Sequence, residues 1–249
     1  MLHSQCRSRN NVTVLLLAFA LLASSTLAQE EKPSEPKFSA FISGSTGIFT
    51  LTFPSAGPGG AQIGEVIGFE DVYGSKSGIT FGIEAGIGPA DMGLFLVFKA
   101  RRWEKTGSPA ISGTVAFSGK MDWTQEFYSF GPRYFFVNAT SKTSKVIPFA
   151  GAGYIKAEAA ERVNGTITSI GPPQPFVEES FVDGSGYYLE AGVTSYLDRS
   201  IAIAAIAEYS SLSLSAVETS SRERIEIDGG GGVFVGISAS LFLGKKLKS

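Results

Sequence analysis

The sequence predicts an all-β fold: an eight-stranded antiparallel up-and-down β-barrel that crosses a membrane. Three observations carry that prediction. Segments with a period of two recur along the chain, each with one apolar face and one small or polar face. The connections between them alternate between long and short. Single carboxylates such as Glu190 and Glu208 fall mid-segment on the small or polar face. A soluble core rarely places a carboxylate there, whereas the inside of a transmembrane barrel is polar.

The first 28 residues read as a secretory signal peptide. Arg7 and Arg9 give a positive start, residues 12–23 form a short apolar run, and Thr26-Leu27-Ala28 supplies the small residues a signal peptidase reads. That run is too short for a spanning helix, which needs about 20 residues. Residues 29–36 are polar, carry two prolines and are expected to be an extended periplasmic leader. The mature chain would lose both Cys6 and His3, so no disulfide framework is expected. Without Arg7 and Arg9, 19 basic residues face 23 acidic ones, a balance that argues against a nucleic-acid partner. With 30 glycines, 19 phenylalanines and only 18% charged residues, the composition suits a Gly-rich β protein.

The barrel is expected over residues 37–244. In the first strand, residues 37–51, Phe38, Ala40, Ile42 and Ile48 oppose Ser39, Phe41, Ser43 and Ser45. A long Pro- and Gly-rich loop follows over 52–76. The second strand, 77–88, is the most regular: Ile79, Phe81, Ile83, Ala85 and Ile87 oppose Thr80, Gly82, Glu84, Gly86 and Gly88. After a short turn at 89–93 comes the third, 94–104, with Leu94, Leu96, Phe98 and Ala100 opposing Phe95, Val97, Lys99 and Arg101. A second long loop is expected over 105–124. The fourth strand, 125–138, sets Tyr128, Phe130, Pro132, Tyr134 and Phe136 against Phe127, Ser129, Gly131, Arg133 and Phe135. Pro132 cannot donate to the ladder, so a local bulge is expected there.

A short turn at 139–145 leads to the fifth strand, 146–159, where Ala150, Ala152 and Tyr154 oppose Phe149, Gly151 and Gly153. A third long loop is expected over 160–183. The sixth and seventh strands form a hairpin about Asp198-Arg199. Tyr187, Leu189, Ala191 and Val193 oppose Tyr188, Glu190, Gly192 and Thr194; Ile201, Ile203, Ala205, Ala207 and Tyr209 oppose Ala202, Ala204, Ile206, Glu208 and Ser210. A charged fourth loop over 216–228 precedes the eighth strand, 229–244. There Val233, Val235, Ile237, Ala239, Leu241 and Leu243 oppose Phe234, Gly236, Ser238, Ser240 and Phe242. Residues 245–249 form a short basic tail.

The charges decide which face is outside. With the apolar faces toward lipid, Glu84, Lys99, Arg101, Arg133, Glu190 and Glu208 all fall inside, three acids against three bases. The opposite assignment would put Arg and Lys into lipid, at about 2–4 kcal/mol each near the midplane. The expected lipid-facing set includes Ile79, Phe81, Ile83, Leu94, Leu96, Phe98, Leu189, Val193, Ile201, Ile203, Val233, Val235 and Ile237. Arg102, Glu104, Glu126, Lys156 and Glu158 break phase at the long-loop ends and are expected beyond the hydrocarbon. Aromatics near the strand ends suggest two interfacial girdles: Phe38, Phe136 and Phe242 at the short-turn end, Tyr128, Tyr187 and Tyr209 at the other. Glycines on the inner faces make room for longer side chains in a tube of this size.

Together with Phe130-Gly-Pro-Arg-Tyr-Phe-Phe136, Pro148-Phe-Ala-Gly-Ala-Gly-Tyr154 and Val233-Phe-Val-Gly-Ile-Ser-Ala-Ser-Leu-Phe242, this pattern resembles the small OmpA-type and OmpX-type outer-membrane barrels. The resemblance implies a bacterial outer membrane, both termini in the periplasm, outer-membrane lipid as surroundings and the barrel assembly machinery as a partner. That machinery reads a terminal aromatic in the family; here seven residues follow Phe242. A monomer is expected.

The composition excludes some chemistry. Without histidine the mature chain has no His-based triad or dyad, and zinc or haem would lack their usual ligands, so no metal, cofactor or enzymatic activity is expected. The leading expectation is a non-enzymatic barrel whose long loops serve surface interaction or envelope integrity, with an extracellular ligand of unknown kind. The alternatives are a narrow porin-like conduit gated by its interior charges and a soluble lipocalin-like carrier. The carrier would need the opposite sidedness.

Overall fold

In a computed structural model the described residues are 38–52, 73–89, 91–108, 110–111, 116–137, 146–169, 171–198, 200–217, 224–228 and 231–244. The signal, leader and basic tail expected at 1–28, 29–36 and 245–249 lie outside them. In chain order the strands are β1 (Phe38–Leu51), β2 (Ser77–Pro89), β3 (Leu94–Gly107), β4 (Ala110–Ile111), β5 (Ala116–Phe135), β6 (Val146–Thr168), β7 (Gln174–Tyr196), β8 (Ile201–Val217), β9 (Arg224–Asp228) and β10 (Gly232–Gly244).

Eight of these close a ring. The order is β10-β1-β2-β3-β5-β6-β7-β8, and β8 returns to β10. All neighbours are antiparallel, and the closing pairs run from Ser39↔Gly244 to Leu51↔Gly232 and from Gly232↔Ser210 to Leu241↔Ile201. Closure leaves the ring no free edge, the condition for a sheet in hydrocarbon. The short β4 and β9 are additions, paired with β5 and β8 at the long-loop end. At the other end the β2–β3 and β7–β8 turns are tight. Gly93 takes a left-handed φ of 68° between β2 and β3, and the Leu197 amide donates to the Ile201 carbonyl at 2.9 Å between β7 and β8.

Three expectations need correction. Residues 105–124 and 160–183 are mostly strand: β3 runs on to Gly107, β5 starts at Ala116, β6 continues to Thr168 and β7 starts at Gln174, and the loop expected over 216–228 holds the end of β8, to Val217, and all of β9. These extensions pair with one another as far as Ala116↔Thr168 and Ile167↔Gln174. They stand outside the apolar band, so nothing requires an apolar outer face, and the pattern that marks the lower strands is absent there. Second, Pro132 makes no bulge. The register is the same at Phe130↔Tyr154 and Arg133↔Gly151, with only the pairs at 131 and 132 missing on the β6 side. Third, Phe242 belongs to no outer girdle; it points inward and packs on Phe41 and Tyr196.

Glycines let rings lie flat against the inner wall. A Cβ on Gly86 or Gly192 would collide with the Phe41 or Phe149 ring, and one on Gly153 would stand 2.7 Å from the Tyr188 ring. Each notch is filled by a neighbouring aromatic, so the interior is packed.

Candidate functional site

The inner and outer walls differ in chemistry. Outside, Ile79, Phe81, Ile83, Leu94, Leu96, Leu189, Val193, Ile201, Ile203, Val233, Val235 and Ile237 are exposed, and Phe98 is half-buried, stacked on Phe130 at 5.9 Å. Phe38, Phe136, Tyr187 and Tyr209 are exposed at the ends of this wall. Tyr128 is half-buried, and its hydroxyl donates to Glu126 at 2.5 Å. Arg102 bonds Glu104 and Glu126, and Lys156 bonds Glu158, all above the apolar wall.

Inside, the structure brings all six in-phase charges together in one buried cluster. Arg133 on β5 is its centre. It meets both oxygens of Glu84 on β2 at 3.1 and 2.9 Å and both oxygens of Glu190 on β7 at 2.8 and 2.9 Å. Lys99 on β3 bridges Glu190 at 3.1 Å and Glu208 at 2.5 Å, and Arg101 holds the other oxygen of Glu208 at 2.6 Å. These bonds cross the lumen, from β5 to β2 and β7 and from β3 to β7 and β8. Strand pairing alone sets Glu190 directly opposite Glu208, a like-charged pair. Lys99 neutralises both by reaching across the tube, and a buried charge survives only when matched in this way.

The cations also lie on aromatic faces. Lys99 is 3.5 Å from the Tyr188 ring centre, Arg101 is 4.0 Å from Phe234 and Arg133 is 4.7 Å from Phe149. Toward the short turns, Phe41, Phe95, Phe135, Phe149 and Phe242 form a continuous ring-to-ring layer at 5.2–5.8 Å. Toward the long loops, Phe49 packs on Trp103 at 5.7 Å and on Phe127 at 4.9 Å. The lumen is therefore ionic only in its middle, with an aromatic layer on each side.

Solved structures of similar shape come from outer membranes. No family model matches the chain, and no curated protein does. The outer membrane protein OprG of Pseudomonas aeruginosa is 12% identical with a TM-score of 0.48, over 85% of this chain and 99% of that one. Neisserial surface protein A is 14% identical with a TM-score of 0.40, over 84% and 98%. Ail, the attachment invasion locus protein of Yersinia pestis, is 12% identical with a TM-score of 0.39, over 83% and 98%. At these identities the likeness is one of fold alone.

A feature that the sequence reading places in loops lies above the apolar wall. β5, β6 and β7 continue past the row Glu126–Glu158–Asp183 as a sheet flanked by the end of β3 as far as Gly107↔Met121, with roughly 35 Å of strand on β5 at about 3.4 Å per residue. Its inner face carries Phe117, Met121, Trp123, Val163 and Val182, all buried, with Phe176 packed on Phe117. Its outer face is polar, with Lys120 and Thr106 both bonded to Asp122. The Lys120 and Thr106 hydrogen bonds hold the Asp122 carboxyl below its ordinary range. Val177 and Phe181 stand out from it, 64% and 60% exposed. Among the described residues no group of three His, Cys, Asp or Glu side chains could hold a metal.

Proposed function

We propose that the chain is an integral outer-membrane β-barrel that is non-enzymatic and closed, and that it works at the cell surface. The observation that carries this reading is the sidedness of the wall: exposed aliphatic and aromatic residues outside, a neutralised ionic cluster inside. Lipid solvates the first, and only cross-lumen pairing supports the second. A soluble carrier would need the reverse arrangement. Residues 1–28 act in this reading as a cleaved signal, the barrel assembly machinery inserts the chain, and the finished barrel is a monomer.

The long-loop end faces outward, and the β5–β6–β7 extension presents its polar face, with Val177 and Phe181, to an extracellular ligand. Loops and extensions on a rigid scaffold are where such recognition resides. The two aromatic layers and the ionic braces fill the lumen, which favours this reading over the conduit. The purified barrel in planar bilayers is expected to give no steady conductance. Stable open channels in the wild-type chain would replace this reading with the conduit.

A further inference from the structure

Among the described residues, one buried carboxyl lies outside the ionic cluster and makes no ion pair. Glu161 on β6 is 5% exposed. It sits beyond Lys156 and Glu158, above the apolar wall and outside the spanning part of β6. The Tyr73 hydroxyl donates to its Oε1 at 2.9 Å, and its Oε2 has no hydrogen-bond partner. The register sets Glu161 against Trp123 on β5 and Ser180 on β7. Glu178 of β7 acts on Glu161 and Asp122 of β5 acts on Tyr73, both acids; Lys105 of β3 stands in the same inner row, paired with Trp123, and makes no ion pair with Glu161. Arg162, the next residue, alternates to the outer face and is exposed.

Tyr73 connects distant parts of the mouth. It lies just before β2, where the Leu51 amide donates to the Lys76 carbonyl at 3.0 Å and ties this stretch to the end of β1. β2 and β6 are not neighbours; β3 and β5 stand between them. The Tyr73–Glu161 hydrogen bond therefore spans the rim, and the Tyr73 ring is buried in the apolar core.

We propose that Glu161 is a proton-controlled latch: protonated, it holds Tyr73 and the start of β2 across the barrel rim, and on losing its proton it releases them. The geometry supplies the reason. An ionised Glu161 would be a buried charge beside Glu178, with no ion pair to a cation among the described residues. Burial raises the Glu161 carboxyl above its ordinary range and Glu178 adds to the rise; the Tyr73 hydrogen bond opposes them. The proton is held more tightly in the latched state than in the released one. The latch is thus fully engaged below the ordinary Glu range and is lost as pH rises through the elevated value.

The test uses the full chain refolded in detergent with a chelator present. It follows hydrogen exchange of residues 73–77, corrected for intrinsic rates, together with emission from Trp103 and Trp123, the chain's two tryptophans. Protection of 73–77 is expected to fall by roughly tenfold or more between about pH 4 and about pH 8, as release on loss of the Glu161 proton requires. Glu161→Gln is expected to keep protection high at both pH values. Tyr73→Phe, which keeps the ring, is expected to lose protection at the acid end. A flat profile in the wild type, or a pH step that survives in either variant, would overturn the latch. Because the readout is local to the rim, it is independent of whether the barrel conducts.

Discussion

Arg133→Ala should be the most damaging single substitution in the lumen, at about 3–5 kcal/mol of stability. The guanidinium makes four hydrogen bonds, two to Glu84 and two to Glu190, and all three side chains are buried. Removing it leaves Glu84 with no ion-pair partner and Glu190 with Lys99 alone, which already serves Glu208. Much of the loss comes from the stranded carboxylates and less from the bonds themselves. The double variant Arg133→Ala with Glu84→Gln should therefore recover part of it, a non-additivity expected of groups in one network. Urea titration of the barrel refolded in detergent micelles, followed by heat-dependent gel mobility, reads both variants. An Arg133→Ala midpoint equal to wild type would mean that the cluster contributes nothing to holding the tube together.

The second large effect is expected on the opposite wall. Ile237→Arg places a guanidinium midway along β10, on the exposed apolar face. In a bilayer this should cost about 2–4 kcal/mol, because the charge has neither water nor a partner at that depth. Val177→Arg, also highly exposed but on the extension, should cost almost nothing, since water already surrounds that site. A soluble barrel would treat the two positions alike. Folding titrations in phospholipid vesicles separate the cases: a large loss at Ile237 with none at Val177 supports the membrane account, and equal small effects argue against it.

Much of this organisation is legible along the chain. The parity of Ile79 to Ile87 and of Val233 to Leu243 assigns outer residues because a strand alternates strictly and lipid tolerates few exceptions. The same parity places Glu84, Lys99, Arg101, Arg133, Glu190 and Glu208 on one side of the wall. Their partners are another matter. Glu84 is paired along the ladder with Lys99 yet bonds Arg133, because the bonds cross the lumen and depend on tilt and curvature. Phe41, Phe95, Phe135, Phe149 and Phe242 each face inward by parity, but their assembly into a layer requires the closed ring. The upper parts of β5, β6 and β7 escape notice for a different reason. Phe117, Met121 and Trp123 do alternate with Ser118, Lys120, Asp122 and Thr124. Water on their outer face admits charge, however, and Gly119 and Gly165 interrupt the inner row. Tyr73 and Glu161, 88 positions apart, share no local pattern at all.

The central claim is the sidedness of the wall, and a scan along β2 tests it most directly. Single nitroxide labels at residues 79 to 87, in barrels reconstituted into phospholipid bilayers, report access to dissolved oxygen against a water-soluble nickel chelate. Ile79, Phe81, Ile83, Ala85 and Ile87 should show high oxygen and low chelate access, alternating with low access to both at Thr80, Gly82, Glu84 and Gly86. Chelate access at the odd positions, or a profile without alternation, would contradict a barrel whose aliphatic face is solvated by lipid.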